Sequence, residues 1–344
     1  MAHSETDILF MRRCLQLAAC GLGRVRPNPM VGSVIVKDGR IVSEGFHQYH
    51  GGWHAERNAI LKAESGERET DVDLRGATLY VNLEPCSHQG LTPPCADLIV
   101  EKGIGRVVCC NDDPNPLVSG RGFAKLEAAG IEVVRHVLED EGRELNRRFF
   151  TFFEKKRPYI ILKWAETADG YMAPLGENEE KNSAQGLPLA TDASCPKGAN
   201  ILSTKSYWIS SESQNRLNHR WRTEEAAILV GSQTFIDDRP QLTARHFVGL
   251  QPLPVVLDRR GRLQDVPEHW LHLQCQSLQE AMGVLFERKI QSLIVEGGRR
   301  VLDAFIAEGL YDEVRILRGN ARFGKGLPAP TIPPISDNRL HINS

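Results

Sequence analysis

Residues 77–100 read ATLYVNLEPCSHQGLTPPCADLIV. The apolar run ATLYVNL has the length and composition of a buried strand, and the stretch after Pro94 reads as a helix. Between them a loop holds Cys86 and Cys95 nine positions apart, stiffened by Pro85, Pro93 and Pro94. A strand that feeds a helix through a loop carrying chemistry is the repeating unit of an α/β domain.

Working outward, Ser4 with Asp7 three residues on caps a helix whose Ile8, Met11, Leu15 and Ala18 share one face and which Gly21 stops. MVGSVIVKDGRIVSEGF is a hairpin turning at Asp38-Gly39. A helix from His54 to about Glu64, the strand RVVCC, a helix before Gly130 and the strand IEVVRHV complete an alternation that predicts a largely parallel sheet covered on both faces. The charged, amphipathic LEDEGRELNRRFFTFFEKKRP leads out of this half. The second half places strands at YIILKWA, AAILVG, PVVLD, SLIVEGG and EVRILRG, with helices at SLQEAMGVLFERK and RRVLDAFIAEGL, and a long polar loop over 173–206. A length of 344 residues suits two domains, placed at 1–148 and 157–344, and a fragment ending near Lys156 is expected to fold alone.

Composition excludes several classes. The formal net charge is −2 with dispersed Lys and Arg, which leaves no electrostatic footprint for nucleic acid or an anionic membrane. No apolar run approaches the roughly 18 residues a span needs, and Arg12 and Arg13 interrupt the apolar N-terminus, so a cytoplasmic protein is expected. Eight cysteines are too few for a disulfide framework.

In that compartment the two loop cysteines point to a metal. His54 opens a helix in the order His-Ala-Glu, and with Cys86 and Cys95 it supplies the three nitrogen and sulfur ligands of a catalytic zinc site. Zinc lowers the pKa of a bound water toward about 7, and Glu56, two residues past the ligand, is placed to carry its proton without ligating. His-x-Glu, Pro-Cys and a second Cys are the signature of zinc base deaminases. A structural zinc site is the competing reading, with His88 as its fourth ligand.

The nine-residue cysteine step, RPNPMVGSVIV, GGWHAE, DDPNPLVSGRG, KWAETADG, YWIS, ILVGSQTFIDDRPQLTAR and VEGG together resemble the bacterial bifunctional riboflavin-biosynthesis enzymes, a pyrimidine deaminase fused to a ribosylaminopyrimidine reductase. The resemblance implies an α/β chain with a cytidine-deaminase-like domain followed by a dihydrofolate-reductase-like domain. It implies Zn2+ on His54, Cys86 and Cys95, Glu56 as proton carrier, and Asn28 and His47 lining the pyrimidine pocket. It implies NADPH on Ala165, Trp208, Thr234, Asp238, Gly297 and Gly298, and substrate on Ser206, Arg222, Leu242, Arg245 and Glu296, with the two arginines suited to its phosphate. No G-x-G-x-x-G follows any strand, so the nucleotide site rests on the turn Glu296-Gly297-Gly298 between a strand and a helix. The partner is a small phosphorylated ribosylaminopyrimidine, with neither nucleic acid nor membrane, and a homo-oligomer is expected. Trp53, Ala168 and Arg239 depart from the family's usual residues, and Leu91 stands where the family usually has Arg or Lys, which removes a cation from the expected substrate contacts. The rival readings are a nucleic-acid base deaminase with an accessory domain, for which no basic aromatic face is visible, and a zinc-stabilised binding module, which needs no Glu56.

Overall fold

In this computed structural model residues 3–65, 72–90, 92–116, 118–174, 209–333 and 340–343 are described. Trp208, Ser206, Leu91 and nearly all of the 173–206 loop lie outside them.

The first half is built from α1 (Glu5–Ala19), β1 (Gly32–Lys37), β2 (Arg40–Phe46), α2 (Ala55–Glu64), β3 (Thr78–Leu83), α3 (Cys95–Glu101), β4 (Arg106–Asn111), α4 (Arg121–Ala128) and β5 (Glu132–Val134). The Ser4 hydroxyl accepts the Asp7 N–H at 3.0 Å, as its spacing predicts. Asp38 and Gly39 both take positive φ, which is the two-residue turn that matches strand twist. The sheet order is β2-β1-β3-β4-β5. Only β3, β4 and β5 run parallel, a correction to the largely parallel expectation, because the tight hairpin makes β2 antiparallel to β1 and β1 also pairs antiparallel with β3. The expected strand IEVVRHV shrinks to Glu132–Val134, since His136 and Leu138 turn through positive φ.

Strand alternation sorts the core. Val34, Tyr80 and Val108 pack on Met11 and Cys14 of α1, while Ile35, Leu79 and Val107 pack on Ile60, Ile99 and Leu126 of α2, α3 and α4. Both faces are buried, which is why these strands read as continuous apolar runs.

The charged segment after β5 forms α5 (Glu139–Leu145) and α6 (Arg147–Lys155). Beyond it lie β6 (Tyr159–Glu166), β7 (Tyr171–Pro174), α7 (Glu212–Glu224), β8 (Ala227–Gly231), α8 (Ser232–Asp238), β9 (Leu253–Leu257), β10 (Leu271–Leu273), α9 (Leu278–Glu287), β11 (Ser292–Val295), α10 (Arg299–Ala307), β12 (Glu313–Arg318), β13 (Gly326–Pro328) and β14 (Leu340–Asn343). Seven of these strands form one sheet in the order β10-β9-β8-β11-β6-β12-β14 with every pair parallel, and β7 pairs with β13.

Helix α6 joins the halves. Phe149 and Phe150 pack on Leu83 of the first sheet, and the Phe152 ring stacks on Phe286 of α9 with centroids 4.6 Å apart. Arg148 grips Glu225 through two hydrogen bonds of 2.7 and 2.5 Å, and Arg315 reaches the same carboxylate at 3.2 Å. Arg26 adds a second tie, donating to the carbonyls of Thr223, Glu225 and Gln251 at 2.9, 2.7 and 3.0 Å.

Candidate active sites

The strand ends of the first sheet place the metal ligands. His54 is the residue before α2, Cys86 follows the end of β3, and Cys95 opens α3 behind Pro94. The His54 Nδ1 lies 3.5 Å from both the Cys86 and Cys95 sulfurs, and all three ligand atoms fall within 4.8 Å of one another. Bond lengths of about 2.0–2.1 Å to nitrogen and 2.3 Å to sulfur in a tetrahedron give a nitrogen–sulfur edge of about 3.5 Å, so the residues fit zinc as they stand. His88 lines the cleft but does not belong to the cluster.

Glu56 sits in the first turn of α2, only 3% exposed. Burial pushes its carboxyl up to about 7, which suits a group that takes and returns protons near neutrality. Between the two cysteines, the neighbouring Cys95 thiol and His54 pull Cys86 down to about 4, while Cys86 and burial push Cys95 up. The Cys86 thiol, at the same time, holds the His54 imidazole above its usual range.

Around this centre is a cleft of about 480 Å³. Asn28 and His47 line it together with His54, Glu56 and Cys86. The Asn28 amide meets His47 Nε2 at 3.0 Å and the Trp53 carbonyl fixes His47 Nδ1 at 2.9 Å, so that ring is held from both sides. Glu84, which the sequence reading passes over although it directly precedes Pro85-Cys86, accepts the N–H groups of Asp113, Gly120 and Gly122 at 3.3, 3.0 and 2.9 Å. It thereby fastens the 113–122 loop to the zinc loop. Gly122 has no room for a side chain, since a Cβ there meets the Pro85 carbonyl at 2.0 Å. Phe149, Phe152 and Phe153 of α6 form an aromatic wall, and Lys289 and Gln291 reach the cleft from the second half.

In the second half the expected residues gather partly. Arg222 of α7 donates to both oxygens of Glu296 at 3.1 and 2.5 Å and to the Thr243 carbonyl at 2.8 Å. Lys163 of β6, missing from the sequence-based set, stands 3.9 Å from the same carboxylate. Thr234 of α8 faces the Gly297-Gly298 turn, where a Cβ on Gly298 would come within 3.0 Å of its hydroxyl. Gly298 takes φ +71 at the start of α10. Burial and Arg222 push His219 down to about 4, so a neutral imidazole lies beside Arg245 and His246. Leu242 is buried with φ +50, Ala165 lies on β6 and Asp238 ends α8. A second cleft of about 590 Å³, bordered by Phe235, Arg239, Arg262 and Trp270, contains none of the expected nucleotide or substrate residues.

Residues 4–111 match the cytidine and deoxycytidylate deaminase zinc-binding region, and residues 158–339 match the RibD C-terminal domain. The riboflavin biosynthesis protein RibD of Aquifex aeolicus is 38% identical over 353 residues, covering 94% of this chain and 89% of its own. The chain belongs to the RibD family. That of Actinobacillus pleuropneumoniae is 42% identical over 276 residues, covering 80% of this chain and 62% of its own. The solved diaminohydroxyphosphoribosylaminopyrimidine deaminase/5-amino-6-(5-phosphoribosylamino)uracil reductase of Thermotoga maritima is 39% identical, with a TM-score of 0.77 over 96% of this chain and 93% of that one. This RibD-family chain is thus an α/β bifunctional enzyme of riboflavin biosynthesis, a zinc-binding deaminase region followed by a reductase domain, and the readings as a nucleic-acid deaminase or a binding module are set aside.

Replacing either cysteine tests the RibD metal set. Cys86→Ser and Cys95→Ser each lower zinc content by at least about tenfold and reduce the melting temperature, because metal binding contributes to folding. His88→Ala leaves both unchanged. Zinc lost on removing His88, measured by atomic absorption, would transfer the fourth ligand position to that ring.

Proposed function

We propose that the first site hydrolyses the ring amino group of 2,5-diamino-6-ribosylamino-4(3H)-pyrimidinone 5′-phosphate, releasing ammonia. The second then reduces the ribosyl side chain with NADPH to give 5-amino-6-ribitylaminouracil 5′-phosphate. The observation that carries the reading is a three-ligand cluster at the wall of a cleft that also holds a buried carboxylic acid.

Zinc on His54, Cys86 and Cys95 supplies a nucleophile from water at neutral pH. Glu56 takes the proton of the attacking water and returns it to the leaving nitrogen, and its raised affinity for a proton matches both transfers. Asn28 and the immobilised His47 position the pyrimidine by its polar edge.

NADPH supplies the hydride. Its contacts fall to Ala165, Trp208, Thr234, Asp238 and the Gly297-Gly298 turn, whose backbone opens α10 where N–H groups are free for a phosphate. Glu296, held by Arg222 and near Lys163, faces the sugar with Leu242, and Ser206, assigned to the same substrate, lies outside the described residues. Because the Arg222 fork is already engaged by Glu296, Arg245, exposed beside His246, is the freer guanidinium for the substrate phosphate in this half. Arg245→Ala raises the reductase KM about ten- to a hundredfold for the phosphorylated substrate and not for the dephosphorylated one, as expected for loss of a charge-assisted contact. An equal effect on both substrates, or weaker NADPH binding, would reassign the residue.

The catalytic units run over 1–148 and 157–344, with most of α6 between them. The protein works as a cytoplasmic homo-oligomer. In support, no helix among the described residues is long and apolar enough to cross a membrane, and Phe247, Val248 and Leu250 form an exposed apolar run. The test is to incubate the zinc-loaded protein with the ribosylaminopyrimidine phosphate, with and without NADPH. Ammonia appears in both, and NADPH is consumed only after deamination. Absence of ammonia overturns the reading.

A further inference from the structure

The deaminase cleft is short of positive charge. Among the described residues that line it, Glu56, Glu84 and Asp113 are carboxylic acids, and Lys289 is the one lysine or arginine. The proposed substrate carries a phosphate monoester of nearly two negative charges, and Lys289 is the one lysine or arginine that this wall offers it among the described residues. The loop between the ligand cysteines does not provide one, since residue 91 is leucine.

Lys289 comes from the other half of the molecule, two residues past the end of α9. It adopts φ +60, the left-handed conformation in which a helix usually ends on glycine, and its N–H closes the helix on the Phe286 carbonyl at 2.8 Å. Glycine would fill this position without steric penalty. Its exposed ammonium has no ion-pair or hydrogen-bond partner among the described residues. A charge held at a strained position, unpaired, on the wall of a cleft otherwise without lysine or arginine, is available to a ligand.

We propose that Lys289 of the reductase half is the cation that receives the 5′-phosphate of the substrate in the deaminase cleft. This rests on the substrate reading given above and deepens it, because deamination then depends on a residue the deaminase half does not contain. An ammonium with three rotatable donors binds phosphate as a point charge, so arginine substitutes for it and neutral residues do not.

The test uses the full-length, zinc-loaded protein and follows ammonia from the phosphorylated and the dephosphorylated pyrimidine. Lys289→Gly is the informative variant, because glycine suits the backbone there and the melting temperature stays level or rises. Its KM for the phosphorylated substrate increases about tenfold with kcat kept, its KM for the dephosphorylated substrate stays at the wild-type value, and NADPH-dependent reduction of pre-deaminated substrate is unchanged. Lys289→Arg restores the low KM. The proposal is overturned if Lys289→Gly keeps the wild-type KM for the phosphorylated substrate, or if wild type does not distinguish the two substrates. If wild type releases no ammonia from either, the substrate reading itself has failed and the proposal goes with it.

Discussion

Glu56→Gln lowers ammonia release by about a hundred- to ten-thousandfold while zinc stays bound. The amide matches the carboxyl in shape, and at a position 3% exposed that shape is what the packing requires. Burial already raises the carboxyl toward its neutral form, so a neutral amide of the same shape suits the site. The variant therefore folds, keeps His54, Cys86 and Cys95 in place, and loses only the ability to move a proton between water and ring. Reduction of pre-deaminated substrate proceeds at the wild-type rate. Deamination within a few-fold of wild type would exclude Glu56 from the chemistry.

The second large effect is on stability. Glu225 is fully buried and neutralises both Arg148 and Arg315. Burial alone would raise its carboxyl, but Arg148 and then Arg315 outweigh that and hold it down at about 2. Glu225→Ala leaves the buried Arg148 guanidinium without its carboxylate, while Arg315 keeps Glu313 at 2.5 Å, and costs about 3–5 kcal/mol. Calorimetry should show a melting temperature lower by about 10 °C. The pH dependence follows from the sign of the shift. A carboxyl whose folded pKa lies below its ordinary 4.5 contributes its full stability above that value, and loses it as pH falls toward about 2. The gap between wild type and variant is widest at neutral pH and narrows in acid. A gap that does not change between pH 7 and pH 3 would show that the carboxylate charge is not what stabilises the junction.

Much of this architecture was legible in the residues. Strands such as RVVCC and SLIVEGG are buried on both faces, so composition alone marks them, and the Asp38-Gly39 turn fixes its hairpin. The zinc triad was legible because metal chemistry restricts residue type and the prolines restrict the loop. What was missed lacked such constraint. Helix α7 carries few apolar residues, although its Ser211–Gln214 capping box was present in the sequence. The short strands β7, β10 and β13 have three or four residues each and no room for a pattern. Glu84 acts on backbone N–H groups some thirty positions away, and Lys289 reaches a cleft that belongs to the other sheet. Neither relation leaves a mark in local spacing.

Helix α6 sets a limit on modularity. The deaminase half owns every expected metal ligand and the whole of its sheet, but the wall of its cleft is completed by Lys289 and Gln291 of the other half. Its exit helix, however, presents Phe152 toward Phe286 and Arg148 toward Glu225. Cut after Lys156, the fragment carries an aromatic and cationic face shaped for a neighbour it no longer has. A free-standing deaminase then meets two obstacles, an uncovered face on this one helix and the loss of Lys289 from the wall of its cleft.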